Sequence, residues 1–407
     1  MASDLVCPRC REPLLPGQPD CPYCAGRKKI PLLHREGVII AAVVMVAVAL
    51  WVATTFVTKA YAARQQQLAR QWFERGDGDL RAQHLDAAIR ELQTALAYSH
   101  DNFQYRLRLG EALAAEGHTR QAQAHLQALW DEEPGNGTVN LELAQLAVRN
   151  HDVAGALRFY HGAVYGIWQD NPAQRRREAR LDLIEFLLAQ RAHQQAQSEL
   201  IALAADLPRD PALMLRVAGL MTKAGDHRRA LQEYREVLGL DPNNAEALAD
   251  AGEAAFSLQM YPEARDYLRR AITEHTQDAQ AEAHLRIAEL VLQMDPYQRR
   301  LPASERERRI MNAFEQAGSR LQQCASARVI TPDRPLGNNP LATDYANWTA
   351  RKPRVNPRAL RRNPEQGDAA MDLAFRIERD TTQVCGPGSA ADLALLLIAQ
   401  RREGTTP

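Results

Sequence analysis

A 34-residue periodicity is the feature that most restricts the fold of this 407-residue chain. Pro208 and Pro242 are 34 residues apart, and the same spacing separates Ala196 from Ala230 and Ala230 from Ala264. A unit of this length accommodates two helices and a turn, and a proline ends the second helix because it has no N–H to donate. Aromatic residues make up only 6% of the chain, which favours helices over sheets. We therefore expect an all-α protein.

Small, large and Pro residues at fixed offsets within this period resemble the tetratricopeptide repeat family. The resemblance covers residues 69–325, as six clear units and a degenerate seventh that is interrupted by the insertion DPYQRRLPASER. A second insertion, near AQRRRE, separates the third unit from the fourth. The resemblance implies a right-handed superhelical solenoid, because single hairpins cannot bury their apolar faces unless they stack.

In this family the groove of the solenoid is generally a surface that binds peptides or proteins. The candidate groove residues at the corresponding helix positions here are Arg70, Phe73, Gln104, Glu111, Gln145, Arg149, Glu178, Glu185, Lys223, Glu246 and Glu253. The Lys and Asn set of the two-carboxylate clamp in chaperone-binding relatives is not found, which disfavours a chaperone C-terminus as ligand. A solvated groove without a specific ligand stays open as an alternative.

An uncharged apolar run, VIIAAVVMVAVALWVATTFVT, occupies residues 38–58. At about 1.5 Å per residue it spans the roughly 30 Å hydrocarbon core of a bilayer, so we expect a transmembrane helix. Residues 31–37 would be a basic juxtamembrane linker. A cleaved signal peptide is disfavoured because the region before the run is long and carries its own cysteines.

Four cysteines precede this run in two Cys-Pro-x-Cys pairs: Cys7, Cys10, Cys21 and Cys24. Two such turns converge on one tetrahedral metal, so residues 1–30 resemble a small zinc ribbon. Zinc is the expected ion, although iron also accepts four thiolates. With all four positions taken by Cys, the site would be structural and would have no open coordination position.

Two further cysteines, Cys324 and Cys385, form an isolated pair and are candidates for a disulfide. The positive-inside rule does not orient the span, since four basic residues precede it and four follow. Thiolates persist best in a reducing cytosol and disulfides outside it. We therefore expect a cytoplasmic N-terminus and extracytoplasmic, periplasmic-type repeats. Residues 326–367 read as a Pro-rich basic linker, and residues 368–407 as a helical tail that packs on the solenoid.

Function is less determined than architecture. No Gly-rich phosphate loop, nucleophile elbow or His-rich metal cluster is found, so we expect no enzyme, no catalytic residues and no small-molecule substrate. The net charge of zero gives no general attraction to nucleic acid and disfavours it as a partner. The leading hypothesis is a single-pass membrane scaffold for protein or peptide partners. The alternatives are a membrane-tethered regulator whose ribbon contacts nucleic acid or a transcription or translation partner, and an assembly factor for envelope or cytochrome complexes.

Overall fold

The computed structural model describes residues 6–15, 17, 20–25, 30–274, 278–327 and 340–404, with only the backbone of residues 30–35. In this part of the chain the elements are helical, and β pairing is limited to two isolated bridges. The helices, in chain order, are α1 (Pro22–Ala25), α2 (Ile30–Arg81), α3 (Leu85–Tyr98), α4 (Phe103–Glu116), α5 (Thr119–Glu132), α6 (Gly137–Arg149), α7 (Val153–Val164), α8 (Pro172–Ala189), α9 (His193–Ala204), α10 (Pro211–Lys223), α11 (His227–Leu240), α12 (Ala245–Ser257), α13 (Tyr261–Thr273), α14 (Ala279–Met294), α15 (Ala303–Ala327), α16 (Pro340–Arg351), α17 (Pro357–Arg362), α18 (Pro364–Cys385) and α19 (Ala390–Glu403). The all-α prediction is confirmed.

The chain divides into two compact units, Met1–Gln169 and Asp170–Pro407. In the first unit the end of α2 pairs with α3, α4 with α5 and α6 with α7. In the second unit α8 pairs with α9, α10 with α11 and α12 with α13. Each pair is a first helix, a short turn and a second helix, and we use these two terms below.

Helix α2 is a single helix of 52 residues. It contains the whole of the expected linker, the apolar run and the first helix of the first repeat, which the sequence had suggested as separate segments. Its interior has no Pro and is rich in Ala, Gln and Arg, which all favour a helix. The apolar run and the first repeat are therefore joined by continuous helix.

Close packing within the hairpins depends on glycine. In three of them a Cβ added to a glycine of the first helix would come within 2.8, 2.9 and 2.5 Å of a leucine on the second helix, in the pairs Gly76–Leu92, Gly110–Leu126 and Gly252–Leu268. The leucine fills the space that any larger residue would need. This is the physical basis of the small-and-large pattern in the sequence.

The turn inside each hairpin contains one residue in the left-handed region. These residues are Gln83, Gly117, His151, Arg191, Gly225 and Gln259, with φ between 57° and 92°. The conformation closes the C-terminus of the first helix, and glycine adopts it with least strain. Only two of the six positions are glycine, so the other four turns carry local backbone strain.

The expectation of a linker over residues 326–367 is wrong from residue 340 onward, where the structure has α16, α17 and the start of α18. Pro340, Pro357 and Pro364 are the first residues of these helices. Proline is tolerated there because the first turn has no intrahelical use for its missing N–H. Trp348 is 3% exposed and donates from Nε1 to the carbonyl of Phe314 at 3.2 Å. Residues 328–339 lie outside the described part.

A helical bundle closes the second unit, with α15 against α18 and α14 against α19. Arg320 is buried at its centre, where Nη1 lies 2.9 Å from Asp392 and Nε lies 3.2 Å from Glu378. Burial, and next the carboxylate of Asp392, raise the pKa of Glu378 to about 8, although Arg320 opposes the shift. Ser389 and Asp392 form a capping box at the start of α19, as their spacing predicts.

Candidate binding face of the repeats and candidate metal centre

Consecutive first helices are joined by polar side chains in one recurring register. Arg216 on α10 donates to Glu185 on α8 at 2.7 Å, and these residues are 31 positions apart. His284 on α14 contacts Glu253 on α12 at 2.6 Å, again 31 positions apart. The same register connects Arg108 and Asp77 (108 − 77 = 31), with Arg108 Nε 3.3 Å from the carboxylate.

These pairs share one surface in each unit, which we call the first-helix face. It is formed by the repeat portion of α2, α4 and α6 in the first unit, and by α8, α10, α12 and α14 in the second. The positions of Arg108, Arg216 and His284 recur with the repeat, at residues 108 and 142 in the first unit and at 216, 250 and 284 in the second.

Two carboxylates occupy the recurring register at Glu111 and Glu142 (142 − 111 = 31). Burial, and next the charge of Glu111, raise the pKa of Glu142 to about 7, although Arg149 and Arg108 act to lower it. Arg108 also holds Glu111 at 2.6 Å, and Arg149 donates to the carbonyl of Ala114. The first-helix face of the first unit therefore contains a carboxylate that takes up a proton near neutral pH.

The face of the second unit is held by additional contacts. Tyr234 on α11 donates to Asp250 on α12 at 3.2 Å, and its hydroxyl lies 3.2 Å from that of Thr222 on α10. Burial raises the pKa of Asp250, although the Tyr234 hydroxyl opposes the shift. The ring of His284 stacks on Phe256 at 4.3 Å, which orients the imidazole toward its carboxylate partner.

The four N-terminal cysteines lie close together, as their spacing predicts. Their Sγ atoms are all within 4.8 Å of one another; Cys7 is 4.0 Å from Cys24 and Cys10 is 3.4 Å from Cys21. A tetrahedral ion at about 2.3 Å from each sulfur requires sulfur separations of about 3.8 Å. The four residues therefore fit a metal of the zinc type, and any ion with the same preference for thiolates.

Backbone amides prepare the sulfurs for metal binding. The backbone N–H groups of Arg9 and Cys10 lower the pKa of Cys7 to about 6. The pKa of Cys10 is raised to about 12: the backbone N–H of Glu12 acts to lower it, but the neighbouring sulfurs of Cys21 and Cys7 outweigh that effect. One thiolate thus forms readily while hydrogen bonding with the neighbouring sulfurs opposes a second, a conflict that a divalent cation would remove.

Comparison with protein families identifies the repeats. Models described as tetratricopeptide repeat match residues 73–117, and residues 113–165 and 221–287. Residues 73–165 and 221–287 of the chain carry tetratricopeptide repeats. A comparison with curated proteins finds no match.

Solved structures of tetratricopeptide repeat proteins are among the structural matches to this chain. The C-terminal part of a repeat protein from Cytophaga hutchinsonii is 11% identical, with 79% of this chain and 99% of that chain covered and a TM-score of 0.41. A repeat protein from Parabacteroides merdae is 14% identical, with 70% and 99% covered and a TM-score of 0.37. YrrB, described as having an unusual peptide-binding site, is 15% identical, with 47% and 95% covered and a TM-score of 0.38.

The structure places all eleven candidate groove residues on first helices of the hairpins, six in the first unit and five in the second. Seven have a side-chain contact: Arg70 with Glu74, Phe73 with Tyr105, Glu111 with Arg108, Arg149 with Ala114, Glu178 with Gln174, Glu185 with Arg216 and Glu253 with His284. Within the described residues, four have no hydrogen bond or ion pair from their side chains: Gln104, Gln145, Lys223 and Glu246.

Several residues of this face were not among the sequence candidates, namely Asp77, Arg108, Glu142, Arg216, Asp250 and His284. The repeat period could have found them. One period before Glu111 lies Asp77, and one and two periods after Arg216 lie Asp250 and His284. Charged residues at one position of successive units are the signal, because equivalent positions of stacked hairpins meet at one surface.

The last predicted pair lies in the closing bundle of the second unit. Cys324 and Cys385 form a disulfide with their Cα atoms 6.0 Å apart, which joins the end of α15 to the end of α18. It lies beside Arg320 and its partners, where Nη2 of Arg320 donates to the carbonyl of Gly386 at 2.8 Å.

Proposed function

We propose that this protein is a membrane-anchored scaffold that binds protein or peptide partners along the first-helix face of its repeats. The observation that carries the proposal is the combination of fixed and unengaged polar side chains on that face. The 31-residue cross-links hold neighbouring helices in register, while Gln104, Gln145, Lys223 and Glu246 keep their hydrogen-bonding groups available. A surface ordered before binding loses less entropy when a ligand arrives.

Membrane anchoring is supported by the apolar run of α2. By length and composition this helix could cross a membrane, and large side chains along it are exposed, with Trp51 at 68% and Phe56 at 74%. The hydroxyls of Thr54 and Thr58 donate to carbonyls of the preceding turn, so they need no water. Because α2 continues into the first repeat, the anchor would fix the orientation of that repeat at the membrane surface.

The two cysteine populations support the proposed topology. A four-thiolate metal site favours a reducing compartment, and the disulfide of the second unit favours an oxidising one. We place the zinc ribbon in the cytoplasm as a structural module and the repeats outside. Labelling tests this in right-side-out membrane vesicles: a membrane-impermeant maleimide should modify a Ser198→Cys variant, because Ser198 is exposed on α9. Labelling only after the vesicles are opened would contradict the topology.

Site-specific photo-crosslinking tests the binding face. A benzophenone amino acid replaces Gln104, Gln145 or Lys223 in the full chain in its native membrane, and the matched controls are Gln123 and Gln232, exposed on the second helices α5 and α11. We expect discrete crosslinked partners at the first-helix positions and none of those partners at the controls. Equal crosslinking on both faces would contradict the proposal. Partners that crosslink only to a probe placed within residues 6–25 would also contradict it.

A further inference from the structure

A cluster of basic residues lies on α16, α17 and the turn between them, and four of its arginines have no ion pair within the described residues. Six cations fall within twelve positions: Arg351, Lys352, Arg354, Arg358, Arg361 and Arg362. Lys352 lies 3.7 Å from Glu315, and Arg361 lies 3.7 Å from Glu307. The side chains of the other four make no hydrogen bond or ion pair within the described residues.

In the neighbouring helices α18 and α19 of the same bundle, by contrast, the arginines are ion-paired. The four arginines of α18 and α19 all have carboxylate partners, in the pairs Arg376–Asp344, Arg379–Glu403, Arg401–Asp295 and Arg402–Asp372. Carboxylates are therefore abundant in this bundle, yet no carboxylate of the described residues neutralises Arg351, Arg354, Arg358 or Arg362. These four cations leave a local excess of positive charge in a chain whose net charge is zero.

Two of these arginines line a pocket of about 180 Å³. Its other walls are Asn347, Ala350, Val355 and Gln366. The Oε1 atom of Gln366 is buried and has no hydrogen-bond partner among the described residues. Two arginines and the amide side chains of Asn347 and Gln366 thus line one small concave site with short apolar walls. This donor set matches a carboxylate, which accepts several hydrogen bonds at once.

We propose that this pocket binds a Glu or Asp side chain from an acidic segment of a protein partner, with Arg358 and Arg362 meeting further acidic residues of the same segment. Guanidinium groups hold carboxylates through paired N–H bonds, which gives geometric selectivity as well as charge attraction. The site is separate from the first-helix face, so a partner could be held at both surfaces of the scaffold.

The surroundings of the pocket favour a peptide over a membrane or a nucleic acid. Trp348, the aromatic residue nearest to the arginines in sequence, is buried, so it offers no ring for base stacking. Across the described residues 340–367, no large hydrophobic side chain is exposed. Helices that lie on a bilayer usually insert such side chains among the lipid chains.

Binding assays on the full chain in uncharged detergent micelles test the proposal. The probe is a fluorescein-labelled peptide of alternating Glu and Ser, and the comparison probes are the matching Lys and Ser peptide, inorganic phosphate, a single-stranded oligonucleotide, and phosphatidylcholine vesicles containing phosphatidylglycerol. The test variant is R351E/R354E. The control is R209E/R228E, which makes the same charge change at exposed arginines of the same unit. Circular dichroism verifies that both variants keep their helices.

We expect the acidic peptide to bind, R351E/R354E to weaken binding about tenfold or more, and R209E/R228E to change it less than about twofold. The R351K/R354K variant keeps the charge but loses the paired N–H geometry, and should bind several-fold more weakly than the native chain. Equal loss in the two charge-reversal variants would overturn the proposal, because only net charge would then matter. Tighter binding of vesicles or oligonucleotide than of the acidic peptide would also overturn it.

Discussion

Arg216 on α10 donates to Glu185 on α8 across 2.7 Å, and this contact recurs at the same separation of 31 residues in both units of the chain. The repetition means that successive first helices meet in one register. The unengaged side chains lie on these same helices, Gln104 and Gln145 in the first unit and Lys223 and Glu246 in the second. A partner would therefore encounter polar groups on successive first helices of each unit.

A double-mutant cycle should measure the strength of this cross-link. We expect Arg216→Ala and Glu185→Ala to be coupled by about 0.2–1 kcal/mol in the free energy of unfolding, because both side chains are about half exposed and water screens them. The coupling should decrease in high salt. The control cycle pairs Glu185→Ala with Lys223→Ala, and urea unfolding should show it to be additive. Coupling of equal size in both cycles would contradict a direct contact.

The pair Glu111 and Glu142 should make stability depend on pH. Because the pKa of Glu142 is raised to about 7 in the folded state, the folded chain holds a proton that the unfolded chain releases above about pH 4.5. The associated stability is present below that pH and is lost as the pH rises through 7. Glu142→Gln should therefore stabilise the chain at pH 8 by roughly 1–3 kcal/mol and have little effect at pH 4. Exposed Glu246→Gln is the control, and an equal effect at both pH values would contradict the assignment.

Hairpin packing should tolerate alanine at some glycines and not at others. Gly252→Ala places a Cβ against Leu268, so we expect the free energy of unfolding to fall by about 1–3 kcal/mol. Gly239→Ala, in a helix of the same unit with no atom near the new Cβ, should raise it by about 0.5–1 kcal/mol. Thermal unfolding followed by circular dichroism gives both values. Similar effects at the two sites would show that helix propensity alone, and not packing against Leu268, determines the change in the free energy of unfolding.

The strained turns offer stabilising substitutions. Gln259 has φ of 57° in the turn between α12 and α13, and Gln259→Gly should raise the free energy of unfolding by roughly 0.5–1 kcal/mol because glycine adopts this conformation without strain. The reverse change in the equivalent turn, Gly225→Gln, should lower stability by a similar amount. If both substitutions destabilised the chain, the contacts of the Gln259 side chain would contribute more stability than the relief of backbone strain at that residue.

Metal removal should affect the N-terminal module alone. We expect purified chain to hold one metal ion, measured by elemental analysis, and Cys21→Ser to lose it. Cys324→Ser keeps the four thiols of the module and should retain the metal. A chelator should leave the helical circular dichroism of the repeats almost unchanged. Metal retained in Cys21→Ser would place the site elsewhere.

The C-terminal region shows where local reasoning fails. Pro340, Pro357 and Pro364 predicted breaks in structure, yet each begins a helix. Proline marks a helix boundary in either direction, and only tertiary burial decides which side is folded. Burial of Trp348 against Phe314 of α15 is decisive here, because it favours the ordering of α16 against the bundle.

The amino-acid sequence by itself determined the helical class, the repeat length, the apolar run and the pairing of Cys residues by spacing, because each is a regularity of local order along the chain. Tertiary structure alone decided which charges meet: Arg108 with Asp77, Glu142 beside Glu111, and four arginines of α16, α17 and the turn between them that meet no carboxylate of the described residues. These encounters depend on how neighbouring helices are aligned. Electrostatic energy at short range changes with ångströms of separation and with burial, neither of which a sequence pattern specifies.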